Sequence, residues 1–141
     1  MIATQEIPGV DPDLQAALLA GGLPIDDIEE PGRFFYRVED QGRLIGFGGF
    51  EIYGDDALLR SIVVPEANRG KGYGRILTEA IIRQIVENGG TRAFLLTTSA
   101  ADFFAHLGFR AIDRAEAPTT ILATCQASSI CTSAALLTRA V

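Results

Sequence analysis

The chain has no tryptophan, one histidine, one methionine, two cysteines and, at Lys71, one lysine among 141 residues. Each scarcity removes a class of function. Two cysteines, Cys125 and Cys131, cannot build a disulfide framework, and their plain reading is as core thiols. With so few soft ligands, no metal site is expected. Basic residues number 12 against 18 acids, and a chain of that balance is a poor nucleic-acid binder, because phosphate neutralisation needs clustered Lys and Arg. No run of ~18 apolar residues exists, so no membrane span is expected. The uncharged stretch that follows Glu116 is rich in Thr, Ser and Gln and contains Pro118. Met1-Ile2-Ala3-Thr4-Gln5-Glu6 has neither a basic flank nor an apolar core, so it does not read as a secretory signal. A cytoplasmic location is expected.

What is present is material for one core. Hydrophobic residues make up 48% and charged residues 21%, and this length suits one domain spanning 1–141. The acids gather in the first 60 residues, 12 against 4 bases, whereas residues 61–141 carry 6 acids and 8 bases. Arg69, Lys71 and Arg75 lie within seven residues. A small positive spot on an acidic protein suits a compact anionic ligand.

The element pattern is a meander followed by alternation. Asp11-Pro12 through Ala20, stopped by Gly21-Gly22, predicts a capped helix. Strands are predicted over 33–38, 43–53 and 58–64, with turns at Asp40-Gln41-Gly42 and Gly54-Asp55-Asp56. The glycines Gly46, Gly48 and Gly49 either weaken their strand or admit a close neighbour. Ile76, Leu77, Ala80, Ile81 and Ile85 form one helical stripe that ends at Gly89-Gly90. Ala93 to Thr97 predicts a buried strand. Ser99, with Asp102 three residues on, predicts the cap of a short helix closing at Gly108. Strands at 109–112 and about 134–141 complete an α+β (α/β-like) fold with a mixed sheet. The last strand could pair with a second copy, so a homodimer is plausible.

Between the third strand and the long helix lies Pro65-Glu66-Ala67-Asn68-Arg69-Gly70-Lys71-Gly72-Tyr73-Gly74-Arg75, physically an anion cradle. Glycines let backbone N–H groups point inward, and the helix start adds partial positive charge. A Walker A string is absent, and the spacing Gly70, Gly72, Gly74 is not G-x-G-x-x-G. What remains is Arg69-x-x-Gly72-x-Gly74, and here the sequence resembles the GNAT family, the GCN5-related N-acetyltransferases. Phe103-Phe104-Ala105-His106-Leu107-Gly108-Phe109 resembles that family's F-Y-x-x-x-G-F stretch, with Phe104 where a tyrosine often protonates the leaving thiolate. The interval from Pro65 to Arg69 is one residue longer than the family's P-x-x-R. Phe47-Gly48-Gly49-Phe50-Glu51, Ala57-Leu58-Leu59-Arg60-Ser61 and Leu95-Leu96-Thr97-Thr98 look closest to the arsenic-resistance N-acetyltransferases and the acetyltransferase domain of N-acetylglutamate synthases.

The resemblance implies a GNAT fold of about six to seven strands and four helices, with acetyl-CoA held between splayed strands ending near Val64 and Thr97. It implies that backbone groups of Ile62, Val63 and Val64 meet pantetheine and the thioester. It gives the phosphates to Arg69, Gly70, Lys71, Gly72, Tyr73, Gly74 and Arg75, and the acyl end to Phe103 and Phe104. The implied acceptor is the amine of a small amino acid or analogue. Protein or peptide acetylation and a non-catalytic acetyl-CoA sensor are the alternatives. Glu51 is read as the base, against a solvated edge-strand glutamate. Arg60 and Arg33 are candidate clamps for a substrate carboxylate, and Thr98 and Ser99 candidate hydrogen-bond donors to it. His106 reads as a surface residue.

Overall fold

A computed structural model of the chain describes residues 2–23, 25, 28–123 and 134–141. Seven strands form one sheet in the order β1-β2-β3-β4-β5-β7-β6: β1 (Ile2–Ile7), β2 (Arg33–Asp40), β3 (Arg43–Tyr53), β4 (Asp56–Val63), β5 (Arg92–Thr97), β6 (Arg110–Ile112) and β7 (Ala135–Ala140). Four helices accompany them: α1 (Pro12–Ala20), α2 (Tyr73–Glu87), α3 (Ala101–Ala105) and α4 (Thr119–Leu122). The sheet is mixed, as the meander-then-alternation pattern predicts. β4 and β5 pair in parallel, through Asp56–Leu58 with Arg92–Phe94, while β1/β2, β2/β3, β5/β7 and β6/β7 pair antiparallel. The chain divides into two compact units, Met1–Glu51 with Leu59–Gln84 and Ile52–Leu58 with Ile85–Val141.

In the first unit, α1 starts as its sequence demands. The Asp11 side chain accepts a hydrogen bond from the Leu14 N–H at 2.9 Å, Pro12 occupies the first turn, and Gly21 ends the helix. Leu14 and Leu18, one turn apart, are fully buried against Ile28, Phe35, Phe47 and Val63. Burying side chains of this size contributes ~1.5–3 kcal/mol each.

The glycines of β3 admit close neighbours rather than merely weakening the strand. A Cβ on Gly46 would lie 2.4 Å from the Val63 carbonyl oxygen, and one on Gly48 would lie 2.7 Å from Ile62 Cδ1 and Ile81 Cγ1. A Cβ on Gly49 would lie 2.4 Å from the Phe34 carbonyl oxygen.

β4 carries a local irregularity. Ser61 has φ of 59°, a left-handed conformation in mid-strand. For a non-glycine residue that costs ~1–2 kcal/mol. Its effect is visible in where the neighbours point. Arg60 lies over the Phe35 ring, and Val63 packs in the same cluster as Phe35 and Leu14. Ile62 instead approaches Gly48 beside Ile81 of α2. Regular alternation would put residues 60 and 62 on one face; here residues 60 and 63 share it.

In the second unit, Leu58, Phe94, Ile121 and Leu136 form the core, with Tyr53, Leu96, Ile112 and Ala117 packed around them. Thr138 is buried and donates to the Ala93 carbonyl at 3.0 Å.

Four expectations need correction, and one strand was not expected. β1 is not anticipated by composition: Thr4, Gln5 and Glu6 are polar, and the strand forms because β2 offers a partner from Phe35 to Asp40. β2 runs to Asp40 rather than Val38, past a register shift at Val38/Glu39, and β4 runs from Asp56 to Val63, leaving Val64 outside the strand. Ser99 does not cap α3; Thr97 Oγ1 instead accepts from the Ser99 and Ala100 N–H groups at 3.4 and 2.9 Å, and Ala100 holds the cap position. Finally, β7 lies between β5 and β6, so the strand expected to meet a second copy is paired on both sides within the chain, on the β6 side over Leu136–Thr138.

Candidate functional site

The loop between β4 and α2 is ordered by its own polar groups. Glu66–Asn68 makes one 3-10 turn, with the Asn68 N–H donating to the Pro65 carbonyl at 2.8 Å and the Arg69 N–H to the Glu66 carbonyl at 3.2 Å. This turn absorbs the extra residue between Pro65 and Arg69. The Asn68 side-chain amide donates to the Leu44 carbonyl at 2.9 Å, which ties the loop to β3. Arg69 Nε donates to the Val64 carbonyl at 2.9 Å, so the guanidinium is anchored at the strand end. Sequence reasoning gave Asn68 no role, although an Asn beside a Pro-initiated turn is a common way to tie a loop down.

Beyond Arg69 the backbone opens outward. Gly70 and Gly72 have φ of +82° and +76°, and a Cβ on either would meet nothing within 4 Å. Arg69, Lys71 and Arg75 are exposed. α2 begins at Tyr73, is fifteen residues long and has no acidic residue in its first turn. Helix starts ordinarily favour acids, since the aligned peptide dipoles leave partial positive charge there. Three cations at such a place repel both one another and the helix end. An anion bound at the loop relieves all of these repulsions together, and the unbonded first N–H groups of the helix supply donors.

The second constellation of the first unit is buried. Arg33, Glu51 and Arg60, expected as clamp, base and clamp, come together in one cluster. Glu51 has no exposed surface. Its Oε2 accepts from Arg60 Nη1 at 3.0 Å and its Oε1 lies 3.6 Å from Arg33 Nη2. The side chains of Arg60 and Arg33 are 1% and 11% exposed. Pairing across β2 and β3 places Arg33 opposite Glu51, and the kink at Ser61 follows Arg60 directly. Glu51 is thus neither solvated nor on an edge strand. Removing Arg60 takes away the shorter of the two ion pairs on a carboxylate in the interior and leaves only the longer one to Arg33, and breaking a buried pair costs about 3 kcal/mol. Arg60→Ala is therefore expected to lower the unfolding midpoint markedly, read by thermal melting; an unchanged midpoint would show that the pair contributes nothing to the fold.

The second unit places its own expected residues. Phe104 is nearly buried, with its ring 5.0 Å from that of Phe103 and 5.7 Å from that of Phe109, both edge-on. Phe103 is 40% exposed. Thr98 and Ser99 are exposed at the end of β5. His106 is exposed at the end of α3, with Nδ1 2.7 Å from the Asp102 carbonyl oxygen. Cys125 and Cys131 lie outside the described residues. Among the described residues no group of three or more His, Cys, Asp and Glu could hold a metal ion, and no helix is long and apolar enough to cross a membrane.

Comparison with known proteins agrees with this geometry. The model of the acetyltransferase (GNAT) family matches residues 5–109. An uncharacterized N-acetyltransferase of Chlorobaculum tepidum is 31% identical over 102 residues, which are 72% of this chain and 65% of that protein. The uncharacterized N-acetyltransferase YjgM of Escherichia coli is 33% identical over 94 residues, 61% of this chain and 56% of that one. The chain thus spans less than two thirds of either relative. Among solved structures, N-acetylglutamate synthase from Neisseria gonorrhoeae, complexed with coenzyme A and N-acetyl-glutamate, superposes with a TM-score of 0.79 at 23% identity. The match covers 99% of this chain and 35% of that one. The ribosomal-protein-S18-alanine N-acetyltransferase from Escherichia coli gives 0.68 at 17% identity, covering 99% and 94%. At these identities the likeness is one of fold.

Proposed function

Since the chain belongs to the GNAT family of acetyltransferases, we propose that it is an acetyl-CoA-dependent N-acetyltransferase acting on the amino group of a small amino acid or amino-acid analogue. The observation that carries this reading is the open glycine loop at the start of α2, which carries the exposed cations Arg69, Lys71 and Arg75 within seven residues, with no acidic residue in the first turn of the helix. The pyrophosphate and 3′-phosphate of CoA supply anions of the right size. Backbone N–H groups of Gly70, Gly72, Tyr73 and Gly74 would hold the pyrophosphate, and the three cations the remaining charge.

The reaction asks for little covalent help. The uncharged amine attacks the thioester carbonyl carbon, a C–N bond forms, the C–S bond breaks, and the proton from nitrogen passes to solvent or to a protein base. A backbone N–H near Ile62 or Val63 aimed at the developing oxyanion would lower the barrier by ~3–4 kcal/mol. Phe104 has no proton to give, and a thiol of pKa ~8.5 leaves as thiolate near neutral pH without one.

An acceptor that carries a carboxylate is proposed from the sequence resemblance to amino-acid acetyltransferases; Arg33 and Arg60, the candidate clamps, both lie against Glu51 in the buried cluster. The gonococcal synthase of the same fold is complexed with N-acetyl-glutamate. Arsenical and phosphinic amino-acid analogues share the ammonium and carboxylate pattern and fall in the same class, so a role in resistance to such toxins belongs to this reading. The domain would be the whole of 1–141.

Thiol release from acetyl-CoA, measured against free amino acids, their phosphinic and arsenical analogues, polyamines and short peptides, tests the proposal. Turnover confined to α-amino acids or those analogues is the expected outcome. Turnover only with peptides would transfer the activity to protein N-termini or lysines, and CoA binding without turnover on any acceptor would make the chain a sensor.

A further inference from the structure

Ser61 is one of two non-glycine residues with positive φ among the described residues. The other, Gln41 with φ of 51°, sits with Gly42 in the tight turn joining β2 to β3, where hairpin geometry requires such a conformation. Ser61 has no turn to explain it. Its hydroxyl, however, has a fixed partner: Arg60 Nε lies 3.3 Å from Ser61 Oγ as donor. Arg60 is itself fixed on two sides. Its Nη1 donates to Glu51 Oε2 at 3.0 Å, and its guanidinium carbon lies 5.7 Å from the Phe35 ring centre. A guanidinium is planar and rigid, so a carboxylate at one edge and a ring on one face determine where the Nε–H points.

We infer that Glu51 is a positioning residue. It holds Arg60, Arg60 holds the Ser61 hydroxyl, and Ser61 is thereby kept in the left-handed conformation that turns the backbone of Ile62, Val63 and Val64 toward the acyl donor. This rests on the reading that acetyl-CoA lies along the end of β4. It assigns the one carboxylate of the cluster to the shape of the donor site. Proton removal from the acceptor is then left to another group or to solvent.

The inference makes Glu51 and Ser61 energetically coupled, which a double-mutant cycle reads directly. The protein is compared as wild type, Glu51→Gln, Ser61→Gly and the pair, with CoA affinity measured by calorimetry and folding by thermal melting. E51Q alone is expected to weaken CoA binding about tenfold, the effect of one charge-assisted hydrogen bond. In the S61G background the same change is expected to matter no more than about twofold, because glycine takes positive φ unaided. Ser61→Ala, which removes the acceptor, should weaken CoA to a similar degree as E51Q. This variant carries the test if E51Q does not fold.

Three results overturn the inference: equal losses from E51Q in both backgrounds, wild-type CoA affinity in S61A, or coupling confined to the melting midpoint. A fourth is an E51Q variant that binds CoA normally but loses kcat and the acidic limb of its pH–rate profile, which would make Glu51 the base. If wild type itself bound no CoA, the donor-site reading would fall and the inference with it. A difference among variants of a wild type that binds CoA concerns Glu51 alone.

Discussion

Replacing Arg69, Lys71 and Arg75 together with glutamate is expected to weaken CoA binding about a thousandfold, from the loss of about tenfold per charge-assisted contact. The same substitution is expected to leave the melting midpoint unchanged or to raise it slightly. The two effects have opposite signs for one physical reason. The cations lie at or just before the start of α2, where no acid occupies the first turn. Carboxylates placed there interact favourably with the helix dipole, by about 0.5 kcal/mol each, while repelling the phosphates that the native residues would hold. Calorimetry and thermal melting of the triple variant read the two quantities separately. Loss of CoA binding with a collapsed midpoint would mean that the loop cations are structural. Retained CoA binding would remove the loop from the donor site. Because the three groups are exposed, added salt should weaken wild-type binding and leave the triple variant much less affected.

Gly46→Ala is expected to be strongly destabilising, costing about 3 kcal/mol and lowering the melting midpoint by about 10 °C. The new methyl would lie 2.4 Å from the Val63 carbonyl oxygen. That atom is backbone in the neighbouring strand, at the end of β4 where the kink at Ser61 has already shifted the alternation. It cannot turn aside, so the two strands must separate. Gly48→Ala is the informative control. Its methyl would meet side-chain atoms, Ile62 Cδ1 and Ile81 Cγ1, both at 2.7 Å, and rotation of those side chains should limit the loss to about 1–2 kcal/mol. Equal midpoints for the two variants would show that β4 does not run as close to β3 at Val63 as the structure has it. Because Val63 and Val64 border the proposed thioester site, G46A should also lose CoA affinity in proportion to the strand displacement.

These expectations indicate which features a sequence can reveal. Signals that are local and chemical are legible. Asp11-Pro12 at one end and Gly21 at the other bound α1, and the glycine-rich run from Gly70 to Gly74 marks a strand-to-helix loop. Of the stripe Ile76, Leu77, Ala80, Ile81 and Ile85, all but the partly buried Ile76 lie on the buried face of α2, which also takes in Ile82. Features that depend on a distant partner are not legible. β1 is polar in its middle and becomes a strand only because β2 has an edge to fill. β7 follows β6 in the chain yet inserts between β5 and β6, an arrangement that no local pattern encodes.

The site divides along the same line. The glycine loop before α2 could be read as a candidate site because its glycines and cations are adjacent in sequence. The cluster of Arg33, Glu51 and Arg60 was visible only as three separate candidates, since an isolated Glu between Phe50 and Ile52 gives no sign of being wholly buried. Ser61 was not visible as a site residue. Serine has no preference for positive φ, and the cause of its conformation is the side chain beside it, held from another strand. The hydrogen bonds that Thr97 accepts from the Ser99 and Ala100 N–H groups left no trace in a spacing rule, because Thr97 itself belongs to β5 and its hydroxyl reaches forward.

The measurement that bears most directly on the central claim is a titration of isotope-labelled protein with CoA, followed by the backbone amide resonances. The account expects the largest shifts at Gly70, Lys71, Gly72, Tyr73 and Gly74, a second group at Ile62 and Val63, and little change in α1 or β1. Saturable shifts confined to other residues, or none at millimolar CoA, would contradict the assignment of the loop before α2 to the donor's phosphates and, with it, the proposed acetyl transfer.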